Sequence, residues 1–263
     1  MRFTKMHGLG NDYLYVYGEV PENIAELSRR LSDRHFGAGS DGMIYISPSQ
    51  LADYRMRIFN ADGSEAKMCG NGIRCVGKYL YDKGYTDKRH ISIETLSGIK
   101  MLTLLTSGGK VNYVTVDMGR AEVGVDESLE VSDETVVYTP VSVGNPHAVI
   151  FVADADEIPL TSIGPQIEHY PAFPGGVNVE FVQVSGDNRL RMRVWERGSG
   201  ITMACGTGAC ASAAAAVKKG YCSAGRPIAV RLDGGTLEIT VHEDGRVKMT
   251  GPAATVYEGE VAE

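Results

Sequence analysis

The pattern of apolar and polar positions in the first half of the chain predicts short strands and two helices. Residues 22–35 follow an amphipathic helical period that places Ile24, Leu27 and Leu31 on one face. Residues 70–83 predict a second helix that ends near Gly84, since glycine is common just beyond a helix C-terminus. Apolar runs bounded by turn residues predict strands at 3–7, 13–17, 43–46, 54–59, 90–96, 99–105 and 111–118.

The second half of the chain repeats this plan. Residues 156–170 predict only a partial helix, because Pro159 and Pro165 interrupt it, and residues 208–219 predict a full helix that ends near Gly220. Strands are predicted at 149–152, 177–184, 190–195, 228–232, 236–241 and 247–250, and residues 254–261 are a candidate for one more.

The two halves also match residue by residue. Four short segments recur at nearly one offset and at the same place in the order of elements, which indicates an internal duplication. Two similar lobes, residues 1–114 and 115–251, are therefore expected to face each other across a cleft, where ligand sites usually form. The matches at an offset of 136 are Gly42–Tyr45 with Asn178–Phe181, Arg57–Asn60 with Arg193–Glu196, and Cys69–Gly72 with Cys205–Gly208; Gly10-Asn11 matches Gly144-Asn145 at an offset of 134.

Composition and charge narrow the function classes. The 263 residues carry a net charge of −7, which argues against nucleic acid or an anionic membrane surface as a partner. The N-terminus has no apolar segment of signal-peptide length, and no run of 18 apolar residues predicts a membrane span. We therefore expect a cytoplasmic protein whose five cysteines are reduced.

The chemistry-bearing feature is a Cys-Gly-x-Gly sequence that opens the long helix of each half, at Cys69 and at Cys205. A helix N-terminus exposes about four unpaired N–H groups and favours negative charge, so it stabilises a thiolate and can hold a carboxylate. Two such termini facing each other could grip one carboxylate while their sulfurs flank the adjacent carbon. One sulfur could then remove a proton from that carbon while the other returns one to the opposite face.

Three alternatives compete with this interpretation. A buried cysteine at a helix start is often only a small apolar residue, although its recurrence in both halves weakens that interpretation. A zinc site is disfavoured because the spacings from Cys69 to Cys75 and from Cys205 to Cys210 are not those of zinc ribbons. Glycines at a helix start can also bind phosphate, but neither half contains the Gly-Lys-Ser or Gly-Lys-Thr of a phosphate-binding loop.

Long segments of the chain resemble the signature motifs of the diaminopimelate epimerase family. The likeness covers almost the whole chain and differs locally from proline racemases, which share the duplicated fold. The segments that carry it are Lys5–Asp12, Asn60–Arg74, Gly144–His147, Asn178–Phe181, Glu196–Cys210 and Gly251–Ala253.

The resemblance implies an α+β fold of two pseudo-symmetric lobes, each a β-sheet wrapped around a central helix, with residues 252–263 returning to the first lobe as a strand. It also implies a homodimeric isomerase that epimerises LL-2,6-diaminoheptanedioate to the meso form, toward lysine and peptidoglycan precursors. A small amino acid substrate is the implied partner, and no pyridoxal phosphate, metal or nucleotide is expected.

The same resemblance assigns roles to individual residues. Cys69 and Cys205 would be the acid–base pair, with Cys69 addressing the L-configured carbon. His147 and Glu196 would tune the protonation of the cysteines, and Glu196 would also meet the reacting ammonium group. The remaining expected substrate contacts are Asn11, Asn60, Gly70, Asn71, Asn145, Asn178, Arg197, Gly206 and Thr207.

The chain departs from the family pattern at one position, and two other functions are compatible with the sequence. Some family members have a glutamine in the site where this chain has Gly42, so any contact there must come from elsewhere or from water. One rival is an enzyme of the same fold that racemises proline, hydroxyproline or histidine. The other is a binding module that uses the two helix starts only to clamp a carboxylate.

Overall fold

The computed structural model describes residues 1–132 and 134–261, which form two compact units. The first unit comprises Met1–Val116 with the C-terminal segment from Gly251, and the second comprises Asp117–Thr250. Residues 262 and 263 of the predicted C-terminal strand lie outside the described residues. Within the described ranges, no helix is long and apolar enough to cross a membrane.

The first part of the chain contains two helices among eight strands. The elements are α1 (Ile24–Ser32) and α2 (Gly70–Asp82), with β1 (Arg2–Gly8), β2 (Asn11–Tyr17), β3 (Gly42–Pro48), β4 (Tyr54–Asn60), β5 (Glu65–Ala66), β6 (His90–Thr95), β7 (Gly98–Ser107) and β8 (Lys110–Arg120).

The second part also contains two helices and closes with the strand that returns to β1 in the first unit. The elements are α3 (Leu160–Glu168) and α4 (Gly206–Lys218), with β9 (Glu122–Val123), β10 (Glu127–Val131), β11 (Glu134–Ser142), β12 (Pro146–Phe151), β13 (Asn178–Gly186), β14 (Arg189–Glu196), β15 (Gly200–Ile201), β16 (Pro227–Leu232), β17 (Gly235–Val241), β18 (Arg246–Pro252) and β19 (Ala254–Glu260).

The strands of both units pair in the same order and with the same directions. In the first unit, β1 pairs antiparallel with β2, β2 parallel with β3, β3 antiparallel with β4, and β4 parallel with β6, which starts an antiparallel ladder to β7 and β8. In the second unit β11, β12, β13, β14, β16, β17 and β18 repeat this series. The predicted α+β fold with an internal repeat is therefore confirmed.

Each unit surrounds one long helix with its strands. In α2 every residue from Gly70 to Leu80 is buried, and in α4 every residue from Ala209 to Ala216 is buried. The alanine-rich sequence of α4 suits this position, because small side chains let strands approach from several sides. Burying the helix on all sides fixes its N-terminus, and so fixes the cysteine that precedes it.

Two differences from the predicted elements have local causes. Helix α1 is shorter than residues 22–35, because Oδ1 of Asp33 accepts hydrogen bonds from the N–H groups of His35 and Phe36, both at 2.7 Å, and thereby ends the helix. Strands β9, β10 and β11 were not predicted. In β10 the exposed Glu127 and Glu130 hid the alternation of buried Leu129 and Val131.

Candidate active site

Cys69 is the N-cap residue of α2, as the sequence predicts. Its extended backbone (φ −138°, ψ 112°) turns the side chain back over the helix start, where Sγ accepts a hydrogen bond from the N–H of Gly72 at 3.3 Å. The side chain is partly exposed, and the helix has no acidic residue in its first turn. These N–H groups and the helix dipole favour negative charge on the sulfur.

Asn11 lies beside this sulfur, and a tight turn delivers it there. Leu9 and Gly10 both have positive φ (57° and 88°), as a two-residue hairpin turn between β1 and β2 requires. The thiol of Cys69 donates to Oδ1 of Asn11 at 3.2 Å, and Nδ2 of Asn11 donates to Asp41 at 2.8 Å. Asp41 therefore fixes the orientation of the Asn11 amide, with its oxygen toward the sulfur.

Tyr13 completes the surroundings of Cys69. Burial raises the pKa of the Tyr13 hydroxyl well above its usual value, and the neighbouring sulfur adds to that rise. The hydroxyl thus stays protonated and can serve as a donor. Neither Tyr13 nor Asp41 was assigned from the sequence.

Cys205 occupies the matching position in the second unit, as the N-cap residue of α4. Its Sγ accepts from the N–H of Gly208 at 3.3 Å and lies 3.5 Å from Oγ1 of Thr207. The residue is only 5% exposed, so it is more enclosed than Cys69. The two cysteines share backbone geometry but differ in their surroundings.

Two carboxyl groups make the surroundings of Cys205 electronegative. Burial raises the pKa of this thiol well above its usual value, and the charges of Glu196 and Glu180 raise it further. Burial also raises the pKa of Glu196, whose carboxyl accepts hydrogen bonds from Thr202 and from Cys205. At an offset of 136, the first unit has neutral Asn60 and Ile44 in place of these two residues. Cys205 is therefore held as a thiol at neutral pH.

This electrostatic arrangement predicts the effect of Glu196→Gln. Removing a negative charge beside the sulfur stabilises the thiolate, so the pKa of Cys205 should fall and its alkylation should begin at lower pH. Mass spectrometry of the peptide that contains Cys205, after brief iodoacetamide treatment across a pH series, measures that midpoint. Exposed Glu243→Gln is the control and should leave it in place. An unchanged or higher midpoint in Glu196→Gln would contradict the assignment.

His147 and Asn145 lie next to one another beside Thr207. His147 is fully buried, and its Nδ1 lies 2.7 Å from Oε1 of Glu180, while its Nε2 lies 3.1 Å from Oδ1 of Asn145. Nδ2 of Asn145 donates to Oγ1 of Thr207 at 3.3 Å. Both predicted residues are therefore linked to Cys205 through Thr207.

Asn178 and Arg197 are also brought together. The amide of Asn178 accepts from the N–H of Arg197 at 3.0 Å and donates to the carbonyl of Pro146 at 3.0 Å. Asn178 thus ties the loop of Arg197 to strand β12. The Arg197 side chain is exposed, and its Nη1 donates to the carbonyl of Gly175 at 3.3 Å. Its guanidinium remains accessible to a carboxylate.

Four of the remaining predicted residues lie at the starts of the two helices, and the fifth, Asn60, ends a strand. Gly70 and Asn71 open α2, and Gly206 and Thr207 open α4. Asn60 ends β4, and its Nδ2 donates to Oγ of Ser64 at 3.1 Å, which orients the amide within its own turn. Contacts or helix positions thus group Asn11, Gly70 and Asn71 with Cys69, and Asn145, His147, Glu196, Gly206 and Thr207 with Cys205. Asn60 lies elsewhere in the first unit, and Asn178 and Arg197 lie together in the second.

A steric contact explains why position 42 is a glycine. A Cβ atom there would lie 2.2 Å from the carbonyl oxygen of Phe59, on the paired strand β4. A glutamine side chain is therefore incompatible with this backbone. The adjacent carboxylate of Asp41 accepts a hydrogen bond from Asn11.

No group of three or more His, Cys, Asp or Glu side chains in residues 1–132 and 134–261 is arranged to hold a metal ion. The chemistry that the described residues do offer is that of two thiols, each at the N-terminus of a buried helix.

Comparison with solved structures places this duplicated fold in a known class. A probable proline racemase from Agrobacterium radiobacter matches with a TM-score of 0.76 at 19% identity, covering 99% of this chain and 92% of that one. A hydroxyproline epimerase from Agrobacterium vitis matches with a TM-score of 0.71 at 17% identity, covering 98% and 91%. The fold is thus the one shared by these racemase-type proteins.

The sequence identifies the family within this class. The family model for diaminopimelate epimerase matches residues 3–124 and 139–256. A diaminopimelate epimerase from Methanococcus maripaludis is 53% identical over 277 aligned positions, covering 99% of both chains, and one from Acetivibrio thermocellus is 52% identical, covering 99% and 98%. The chain belongs to the diaminopimelate epimerase family and is an isomerase, which confirms the resemblance seen in its motifs.

Proposed function

We propose that the chain interconverts LL- and meso-2,6-diaminoheptanedioate in the cytoplasm, without pyridoxal phosphate, metal or nucleotide, as a step toward lysine and peptidoglycan precursors. The observation that carries this proposal is the recurrence of one cysteine-capped helix N-terminus in each half of an internal duplication. The full-length relatives named for this reaction support the choice of substrate.

The reaction needs two proton transfers on opposite faces of one carbon. We assign one lobe to residues 1–114 with 252–263 and the other to residues 115–251, so that each lobe contributes one cysteine. The thiolate of Cys69 takes the α-proton of the L-configured carbon, and the C–H electron pair moves into the carboxylate. The thiol of Cys205 then gives its proton to the other face of the carbon, forming the new C–H bond and leaving a thiolate.

Electrostatics support this division of labour. Burial and the nearby Glu196 and Glu180 keep Cys205 protonated, as the proton donor must be in the LL-to-meso direction. The N–H groups at Gly70-Asn71 and Gly206-Thr207 would hold the reacting carboxylate, where negative charge grows in the transition state. Stabilising that charge at helix termini lowers the barrier without a separate electron sink.

The other assigned residues bind and orient the substrate. Glu196 would meet the reacting ammonium group, and its contact with Cys205 couples that group to the sulfur. Arg197 would bind the distal carboxylate, because its planar guanidinium matches a carboxylate with two hydrogen bonds. The asparagines at 11, 60, 145 and 178 would supply the remaining polar contacts. His147 would act on Cys205 through Asn145 and Thr207.

We also propose that the enzyme is a homodimer. An exposed apolar patch supports this: Ile99, Met101 and Leu105 on β7 and Tyr113 on β8 are each between 44% and 51% exposed. Leu105 and Tyr113 are paired across the two strands, so the patch is continuous there. Apolar side chains grouped in this way favour burial against another protein surface.

Deuterium uptake in heavy water tests the proposed function. Purified protein is incubated separately with LL-diaminoheptanedioate, proline, hydroxyproline and histidine, and α-deuterium and configuration are followed by mass spectrometry and chiral chromatography. We expect inversion with deuterium uptake only in diaminoheptanedioate. Inversion of one of the other amino acids and none of diaminoheptanedioate would replace the substrate, and binding without exchange would indicate a carboxylate-binding module.

A further inference from the structure

Glu180 is a buried carboxyl group whose charge helps to keep Cys205 protonated, and it also makes direct contact with His147. It lies on β13, is 0% exposed, and reaches Nδ1 of His147 on the neighbouring parallel strand. Its Oε2 atom has no hydrogen-bond partner within the part of the chain that the structure describes. A buried carboxylate is costly unless a cation or a helix N-terminus offsets its charge, so the position needs an explanation.

The neighbours of Glu180 supply that compensation. A Cβ atom on Gly208 would lie 2.6 Å from Oε1 of Glu180, so the carboxyl packs directly against the first turn of α4. The N-terminal end of a helix favours negative charge at that place. Glycine at 208 is therefore needed to admit the carboxyl group beside Cys205.

A continuous chain of hydrogen bonds leads from Glu180 to the sulfur of Cys205. It runs from Glu180 to His147 (2.7 Å), from His147 to Asn145 (3.1 Å), from Asn145 to Thr207 (3.3 Å) and from Thr207 to Sγ of Cys205 (3.5 Å). All five residues belong to the second unit.

The direction of donation along this chain of hydrogen bonds follows from the carboxylate of Glu180 at one end. A carboxylate only accepts, so Nδ1 of His147 donates to Glu180, and the carbonyl oxygen of Asn145 accepts from Nε2. Asn145 then donates through its amide nitrogen to Thr207, whose hydroxyl hydrogen is left to point at the sulfur. In this arrangement both ring nitrogens of His147 act as donors, one to Glu180 and one to Asn145.

The internal duplication provides a comparison inside the molecule. At the offset of 136, Ile44 stands where Glu180 stands, and Gly72 stands where Gly208 stands. Ile44 is also fully buried, and its Cδ1 lies 2.7 Å from the place of a Cβ on Gly72. In both units the side chain at this position of the strand, Ile44 or Glu180, packs against the first turn of the helix, but only in the second unit is it a carboxyl group.

We propose that Glu180 is a positioning residue for the epimerisation, which holds His147 as a double donor and so directs the Thr207 hydroxyl toward Cys205. A hydroxyl aimed at this sulfur stabilises it as a thiolate when it has given up its proton. The inference rests on the proposed two-cysteine function, and it explains why the more deeply buried of the two cysteines is supported by a chain of donors.

Two substitutions at this position test the inference. Glu180→Gln preserves the shape of the side chain, and Glu180→Ile introduces the residue found at position 44. For Glu180→Gln we expect kcat to fall by about 10-fold to 100-fold while KM changes by less than about 3-fold, since the residue acts through other side chains on the reacting sulfur. Glu127→Gln, a matched change at an exposed carboxyl of β10, should leave kcat unchanged.

A spectroscopic signature separates positioning from a structural role. In protein labelled with ¹⁵N-histidine, both ring nitrogens of His147, assigned by comparison with His147→Gln, should have the shifts of protonated nitrogen. Glu180→Gln should remove that double protonation. The wild-type spectrum alone overturns the inference if only one ring nitrogen of His147 is protonated, even if the variants fail to fold.

The remaining outcomes are also decisive. A Glu180→Gln variant with wild-type kcat overturns the inference, and so does one whose kcat falls while His147 stays doubly protonated. Wild-type protein that fails to invert diaminoheptanedioate refutes the proposed function instead, so the two failures are distinguishable.

Discussion

Replacing either cysteine with serine, Cys69→Ser or Cys205→Ser, should lower kcat for epimerisation by at least about 1000-fold, within the range for loss of a general acid–base group. A serine hydroxyl has a far higher pKa than a thiol, so it neither holds the negative charge needed to remove the α-proton nor regains a proton as readily. Because the proposed mechanism uses one sulfur on each face, loss of either should be as damaging as loss of both. Initial rates of meso formation from the LL isomer measure this directly.

Cys222→Ser is the matched control for these variants. Cys222 is buried, lies after the end of α4, and is not at a helix N-terminus. Its substitution should leave kcat near the wild-type value. Substantial inversion by either Cys69→Ser or Cys205→Ser, with the control active, would mean that the missing sulfur is not a required proton carrier.

Mild oxidation should abolish activity completely and reversibly, through a disulfide between Cys69 and Cys205. In the proposed mechanism the two sulfurs act on opposite faces of one carbon, which requires them to come within reach of each other, and neighbouring thiols oxidise readily to disulfides. Peptide mapping without reductant should find the crosslink, and dithiothreitol should restore the rate. The Cys222→Ser variant should be inactivated in the same way.

Two results of the oxidation experiment would contradict the predicted disulfide. Inactive oxidised protein that contains no Cys69–Cys205 crosslink, but instead has a sulfenic or higher acid on one sulfur, would indicate that the two thiols do not share one substrate. Crosslinks that involve Cys75 or Cys210 would point the same way, since these cysteines lie inside α2 and α4.

Much of the fold could be predicted from the sequence because local signals and the repeat agree. The strand alternation, the glycines after both long helices and the offset of 136 indicate two copies of one arrangement. The same signals predicted that Cys69 and Cys205 precede helices, and both are N-cap residues in the structure. A duplicated motif constrains two positions at once, so it is stronger than either copy alone.

The side chains that support the two sulfurs were harder to predict. Glu180 stands in a run of buried strand residues, and the sequence does not tell whether such a carboxyl faces a partner or solvent. Asp41 is linked to Cys69 through Asn11, by a contact between residues 30 positions apart. Such roles depend on register between neighbouring strands, although the exchange of Ile44 for Glu180 in the repeat was a signal already visible in the sequence.

The most direct test of the two-thiol mechanism is α-hydrogen exchange in heavy water by the two single-cysteine variants. Cys205→Ser, which retains Cys69, should exchange the α-hydrogen of the L-configured reacting carbon in the LL isomer and leave the D-configured carbon of the meso isomer untouched. Cys69→Ser should show the reverse preference, and neither should invert. Exchange of the same isomer by both variants, or of both isomers by one, would contradict the assignment of the sulfurs to opposite faces.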